Sequence, residues 1–170
     1  MNNEGNKQIV GITGPTGSGK SYISNIYKEL GFSIIDADFI GHIVLENEAK
    51  EEILKTFGTL NRKEIGKIVF SNRERLKLLN NIMHPLIVQR VLNIIEENKK
   101  VVIDAALLFE TGLDKICTEI VYVLASDKNR LKRIVERDNI TIEQAENRIK
   151  SQSNTIPNVH FVVYNEYEKI

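Results

Sequence analysis

A chain of 170 residues is one domain's worth of sequence, long enough to bury a core without disulfides or metals. Its 42% hydrophobic and 27% charged fractions exclude disordered and fibrous classes, and 23 Lys/Arg against 23 Asp/Glu argue against a general electrostatic grip on nucleic acid or membrane. The longest apolar runs, such as 101–103 and 105–109, fall short of a membrane span, the opening MNNEGNKQ lacks a secretory layout, and the lone Cys117 forms no intrachain disulfide. A cytoplasmic, single-domain protein without a membrane or nucleic-acid partner is expected.

In chain order, the first apolar run, Gln8–Thr13, reads as a buried strand, because consecutive apolar residues suit a strand covered on both faces. It leads into Gly14-Pro15-Thr16-Gly17-Ser18-Gly19-Lys20-Ser21, a full G-x-x-x-x-G-K-S match, and then into a helical pattern over 20–30 that closes on Gly31. Glycines at this spacing let backbone N–H groups converge on phosphate oxygens, and the helix N-terminus adds partial positive charge. In such a loop Lys20 reaches the β- and γ-phosphates and Ser21 ligates Mg²⁺. The motif predicts nucleotide phosphate binding but does not fix a reaction.

A second strand, Ser33–Asp36, is followed by Asp36-Ala37-Asp38. In parallel sheets ligands gather at the carboxyl ends of strands, so these acids are candidates for accepting a hydroxyl proton or holding a metal's waters. Either one equally suits capping of the next helix. Residues 39–100 are helical in pattern, with stripes at Ile53/Leu54/Phe57, Leu76/Leu79/Ile82 and Ile87/Val91/Leu92/Ile95. His84-Pro85 reads as a helix start, with His84 either packed or capping. Residues 50–80 carry eight Lys/Arg against four Asp/Glu, a solvated face or a landing surface for an anionic ligand. These helices are expected to form an insertion on the rim of the sheet.

A third strand over 101–105 ends near Asp104, a further acid beside the loop. A fourth over 119–125 precedes charged helices at 127–137 and 141–152, with Ser126 and Thr141 as N-caps. Arg130, Arg133 and Arg137 share one helical face and so either converge on phosphate charge or decorate a solvated surface; Arg137, beside Asp138, is the best placed for the first role. The fifth strand is Phe161–Tyr164. Alternating strands and helices predict an α/β fold, a parallel sheet with helices on both faces.

Taken together these elements resemble the dephospho-coenzyme A kinases, small P-loop kinases, over about residues 9–165. The resemblance is carried by the loop from Gly14 to Ser21, Leu30-Gly31, Ile35-Asp36-Ala37-Asp38, Phe57-Gly58, Leu60-Asn61-Arg62, Ile68-Val69-Phe70, Ile82-Met83-His84-Pro85-Leu86-Ile87, Leu107-Leu108-Phe109-Glu110, Arg137-Asp138, Gln152 and Asn165. It implies a P-loop kinase fold with a five-stranded parallel sheet, its core at about 8–38 and 101–165. It also implies a helical acceptor-binding insertion at about 39–100 and a helical lid at about 127–153.

The implied activity is ATP- and Mg²⁺-dependent phosphorylation of the ribose 3′-hydroxyl of dephospho-coenzyme A, by a monomer or weak homo-oligomer. By the same resemblance Asp38, Lys20 and Arg137 are the catalytic set. Gly14, Gly17, Ser18, Gly19, Lys20, Ser21, Tyr22, Arg137 and Asn165 bind ATP, and Asp36, Asp38, His84 and Leu107 bind the acceptor. Ser21 holds Mg²⁺, with Asp38 or Asp104 acting through water.

This chain has Ala106 and Tyr22 where the family usually has Pro and Thr, and Val159-His160 for the usual Ala-Asp. Segment 153–158 lacks the further arginine of most members, and relatives continue past the position of Ile170 into a C-terminal helix, so an uncovered apolar face is expected. Two alternatives stay open on the residues alone: a related P-loop kinase with another small acceptor, and a nucleotide-binding module with little catalysis. A GTP-hydrolysing switch is disfavoured because no Asn-Lys-x-Asp motif is present.

Overall fold

The structure is a computed structural model and describes residues 7–70, 72–153 and 155–167. The first six residues and the chain end at Ile170, both considered above, lie outside the described residues. Five parallel strands form one sheet in the order β2-β3-β1-β4-β5. They are β1 (Gln8–Thr13), β2 (Ser33–Asp36), β3 (Lys100–Asp104), β4 (Glu119–Leu124) and β5 (Phe161–Tyr164). This is the expected α/β fold. The registers place Asp36 beside Asp104 and Ile12 beside the same Asp104, so the carboxyl ends of β1, β2 and β3 come level.

Strand periodicity sorts the sheet residues onto two faces. Val10, Ile12, Val102, Val121 and Val123 pack with Ile23 of helix α1 (Lys20–Glu29). Ile35, Val101, Ile103 and Ile120 join the opposite, larger cluster. That cluster is completed by α2 (Ala37–Glu46), α3 (Lys50–Phe57), α4 (Arg62–Phe70), α5 (Arg73–Glu96) and a short 3₁₀ turn at Leu113–Ile116. The inserted helices are therefore not confined to the rim. Ile40, Val44, Ile53, Ile87, Val91 and Ile95 are all buried in the same cluster as the sheet residues, and supply most of one hydrophobic layer.

Helix α5 corrects a second expectation. His84-Pro85 does not begin a helix; it lies in the middle of one continuous 24-residue helix. Pro85 has no N–H, so the ladder bond to the carbonyl four residues earlier is missing there, and packing of Ile87, Val91 and Ile95 carries the helix through. Its N-cap is Asn72, whose side chain accepts from the Arg75 amide at 3.0 Å.

After β4, α6 (Asp127–Asp138) and α7 (Ile142–Lys150) form a helical hairpin. Ser126 caps α6, and Thr141 and Gln144 form a reciprocal capping box at α7, as the residue types led one to expect. Between the helices Asn139 adopts a left-handed conformation at φ 50. At the sheet edge, Phe161 and Tyr164 of β5 are exposed.

Candidate functional site

The loop between β1 and α1 is held open by geometry only glycine permits. Gly14 lies at φ 147, and a Cβ there would collide with the carbonyl oxygen of Val123 in β4. Gly19 lies at φ 87, where a Cβ would run into the side-chain amide of Asn165. Among the described residues, the amides of Gly17, Gly19, Lys20 and Ser21 meet no protein acceptor. Clustered donors at a helix N-terminus are suited to anionic oxygen.

The rear of the loop is gripped by α6 and by the exit of β5. Arg130, 5% exposed, donates to the Thr16 carbonyl (3.0 Å), to Asp127 (2.9 Å) and to Gln152 Oε1 (2.9 Å). Arg133 donates to the carbonyls of Gly17 (3.2 Å) and Ser18 (3.1 Å), and to those of Asn165 (3.0 Å) and Tyr167 (2.6 Å). Buried Asn165 adds a bond from its amide to the Ser18 carbonyl at 3.0 Å. Arg137 instead is exposed. It is paired with Asp138 at 2.7 Å and reaches Thr16 Oγ1 at 3.4 Å. Of the three arginines on this face, Arg130 and Arg133 thus hold the loop itself.

In front of the loop stands a charge cluster. Lys20 Nζ donates to the Gly14 carbonyl at 3.1 Å. Burial pulls its ammonium below the ordinary lysine value, while the nearby carboxylates of Asp104 and Asp38 oppose that shift. Asp38 is open to a cavity, yet the protein packed around its carboxyl raises its pKa. Lys20 opposes the rise, Asp36 adds to it, and the Ala106 amide counters it. Asp104 is raised for the same first reason, against a hydrogen bond from Ser24 Oγ at 2.9 Å and the charge of Lys20. Asp36 is committed elsewhere: its carboxylate accepts from the Phe39 amide at 2.8 Å and caps α2. The capping alternative therefore describes Asp36, while Asp38, one residue into the helix, faces the cavity.

That cavity has a volume of about 550 Å³ and lies between the sheet and the inserted helices. Asp38, His84 and Leu107 line it together, with His42, Arg62 and Met83. Burial holds His84 below the usual imidazole pKa, partly offset by the nearby Glu110 backbone and charge. A second recess of about 400 Å³ runs along Gly17, Gly19, Lys20 and Ser21 under Arg133 and Arg137. Lys20 and Asp38 therefore mark the junction between an anion-binding recess and a mostly apolar cavity. Sequence reasoning did not single out Ser24 or Tyr167, and quoted Arg62 only within Leu60-Asn61-Arg62, without a role. Ser24 and Tyr167 belong to no motif recognisable by spacing and reach the site only through the fold.

A family model described as dephospho-CoA kinase matches residues 8–161. A dephospho-CoA kinase of Fusobacterium nucleatum is 41% identical over 155 residues, 85% of this chain and 80% of that protein. One from Dehalococcoides mccartyi is 41% identical over 160 residues, 86% of this chain and 81% of that protein. Among solved structures, a protein of Thermus thermophilus superposes with a TM-score of 0.83 at 28% identity, covering 95% of this chain and 90% of that one. The dephospho-CoA kinase of Campylobacter jejuni gives 0.59 at 28% identity, over 94% and 89%. A shikimate kinase of Bacteroides thetaiotaomicron, 11% identical with a TM-score of 0.53, shares the fold.

Proposed function

Because the chain belongs to the dephospho-CoA kinase family, we propose that it transfers the terminal phosphoryl group of ATP to the ribose 3′-hydroxyl of dephospho-CoA, giving CoA and ADP. The observation that carries the reading is the position of Asp38, which lines the acceptor-sized cavity while interacting with the loop lysine, Lys20.

Phosphoryl transfer asks for positioning and charge stabilisation more than for covalent chemistry. The amides of Gly17, Gly19, Lys20 and Ser21 bind phosphate oxygens. Lys20, released from the Gly14 carbonyl, sets its charge against the phosphoryl group being transferred. Asp38 accepts the proton of the attacking hydroxyl, and its raised pKa makes it a stronger base than an ordinary exposed carboxylate. His84 and Leu107 shape the acceptor side, and Arg137 adds positive charge over the recess.

The donor set fits Mg²⁺. Ser21 offers a hydroxyl beside the loop, and Asp104 and Asp38 offer hard carboxylate oxygens. Mg²⁺ commonly takes one or two carboxylates and completes its shell with substrate phosphates and water. When bound, the ion neutralises charge on the β- and γ-phosphates.

The test is ADP release from ATP and Mg²⁺ with and without dephospho-CoA, with the product identified by mass. Acceptor-dependent ADP matched by CoA is the expected result. A folded, ATP-binding sample that makes no CoA would refute the proposal.

A further inference from the structure

A third cavity, of about 500 Å³, shares Gly19, Ser21, Arg133 and Glu136 with the phosphate recess and no lining residue with the Asp38 cavity. Two tyrosines line it. The rings of Tyr22 and Tyr167 lie 5.0 Å apart, centroid to centroid, and 11° from parallel. They are 43% and 52% exposed, so the pair is not part of the core. Stacking covers one face of each ring and leaves apolar ring surface toward the cavity.

The two rings are rooted in the phosphate-binding apparatus. Tyr22 stands on the first turn of α1, two residues after Lys20. The Tyr167 amide donates to Asn165 Oδ1 at 3.3 Å, and its carbonyl accepts from Arg133 at 2.6 Å. Asn165 and Arg133 are the same side chains that hold the Ser18 carbonyl. The aromatic wall is thus fixed relative to the recess, as a platform for a planar ligand attached to a phosphate chain must be.

We infer that the Tyr22–Tyr167 pair is the stacking platform for the base of the nucleotide donor. The inference rests on the donor reading above and assigns to these two rings the contact that distinguishes a nucleoside triphosphate from its phosphate chain alone. An aromatic side chain gains by stacking on any planar base, because every base presents a π-face. The polar side chains nearby are partly committed already: Asn129 donates to Glu166 at 2.6 Å, and Asn165 to the Ser18 carbonyl.

Calorimetric titration of the whole chain with ATP and, separately, with inorganic tripolyphosphate tests the assignment. Tyr167→Ala and Tyr22→Thr should each weaken ATP binding about tenfold, with tripolyphosphate affinity unchanged and Tyr167→Phe close to the unaltered chain. The chain has no tryptophan and five tyrosines, so ATP, but not tripolyphosphate, should also change the intrinsic tyrosine emission. Unchanged ATP binding in both variants would overturn the inference. So would parallel loss of ATP and tripolyphosphate, which would mark a damaged loop, or a phenylalanine variant as weak as alanine. Failure of the unaltered chain to bind either probe would instead defeat the donor reading itself, and the platform with it.

Discussion

The side-chain oxygen of Gln152 accepts the Thr16 amide at 3.0 Å and Arg130 Nη2 at 2.9 Å, so one residue beyond α7 joins the phosphate loop to α6. The Arg130 guanidinium is almost fully buried, and its bond to Gln152 is charge-assisted. Gln152→Ala should lower stability by about 1–2 kcal/mol, because a buried charged donor loses a partner. Thermal or denaturant unfolding reads this directly, and an unchanged midpoint would show that water replaces the amide oxygen without penalty.

Asp38→Asn should reduce kcat by about a hundredfold or more, the usual contribution of a positioned general base, and leave ATP affinity within about twofold. Its effect on stability has the opposite sign. The folded pKa of Asp38 lies above its unfolded value, so between the two the folded state binds more protons and stability falls as pH rises. Above the folded pKa that penalty is fully present, and the neutral asparagine removes it. The variant should therefore melt at a higher temperature while turning over less. A fall in both would indicate that the carboxylate is structural.

The pH profile follows from the same direction. With Asp38 raised above the ordinary value of 3.8, activity should fall on an acid limb above that pH, as the base becomes protonated. Asp36 contributes to the rise by like-charge repulsion. Asp36→Asn keeps a good N-cap for α2 and removes the charge, so stability should change by less than about 0.5 kcal/mol while the acid limb moves to lower pH. An unmoved limb would mean that another group controls it.

Lys20→Ala should lower turnover by at least about a hundredfold through loss of charge stabilisation. It also removes the cation that restrains both Asp38 and Asp104, so residual activity should show its acid limb at higher pH than the parent. Near-normal turnover would be incompatible with phosphoryl transfer at this loop.

Strand positions were legible because buried parallel strands announce themselves as short runs of Ile and Val. The loop was legible because its chemistry requires a fixed spacing. Ser126 and Thr141 were readable as caps for a similar reason, since their side chains act within three residues of themselves. Pro85 misled because local propensity favours a helix start, whereas Ile87, Val91 and Ile95 bury enough surface to hold one helix across it. Asp36 and Asp38 could not be separated by residue type. Only the course of the backbone turns one toward the Phe39 amide and the other toward the cavity. The roles of Arg130 and Arg133 depend on carbonyls more than a hundred residues away, which no periodicity reveals. Tyr167 is likewise meaningful only where the chain returns to α1.

The four carbonyls bound by Arg133 bear on how the molecule moves. Rotation of α6 away from the sheet would break bonds to Gly17, Ser18, Asn165 and Tyr167 together, so mechanically this helix travels with the sheet. One element later, a short connection at left-handed Asn139 joins α6 to α7. The hairpin is clamped at both ends: Asp138 pairs with Arg137 of α6 and Arg148 of α7, and Gln152 beyond α7 returns to Thr16 and Arg130.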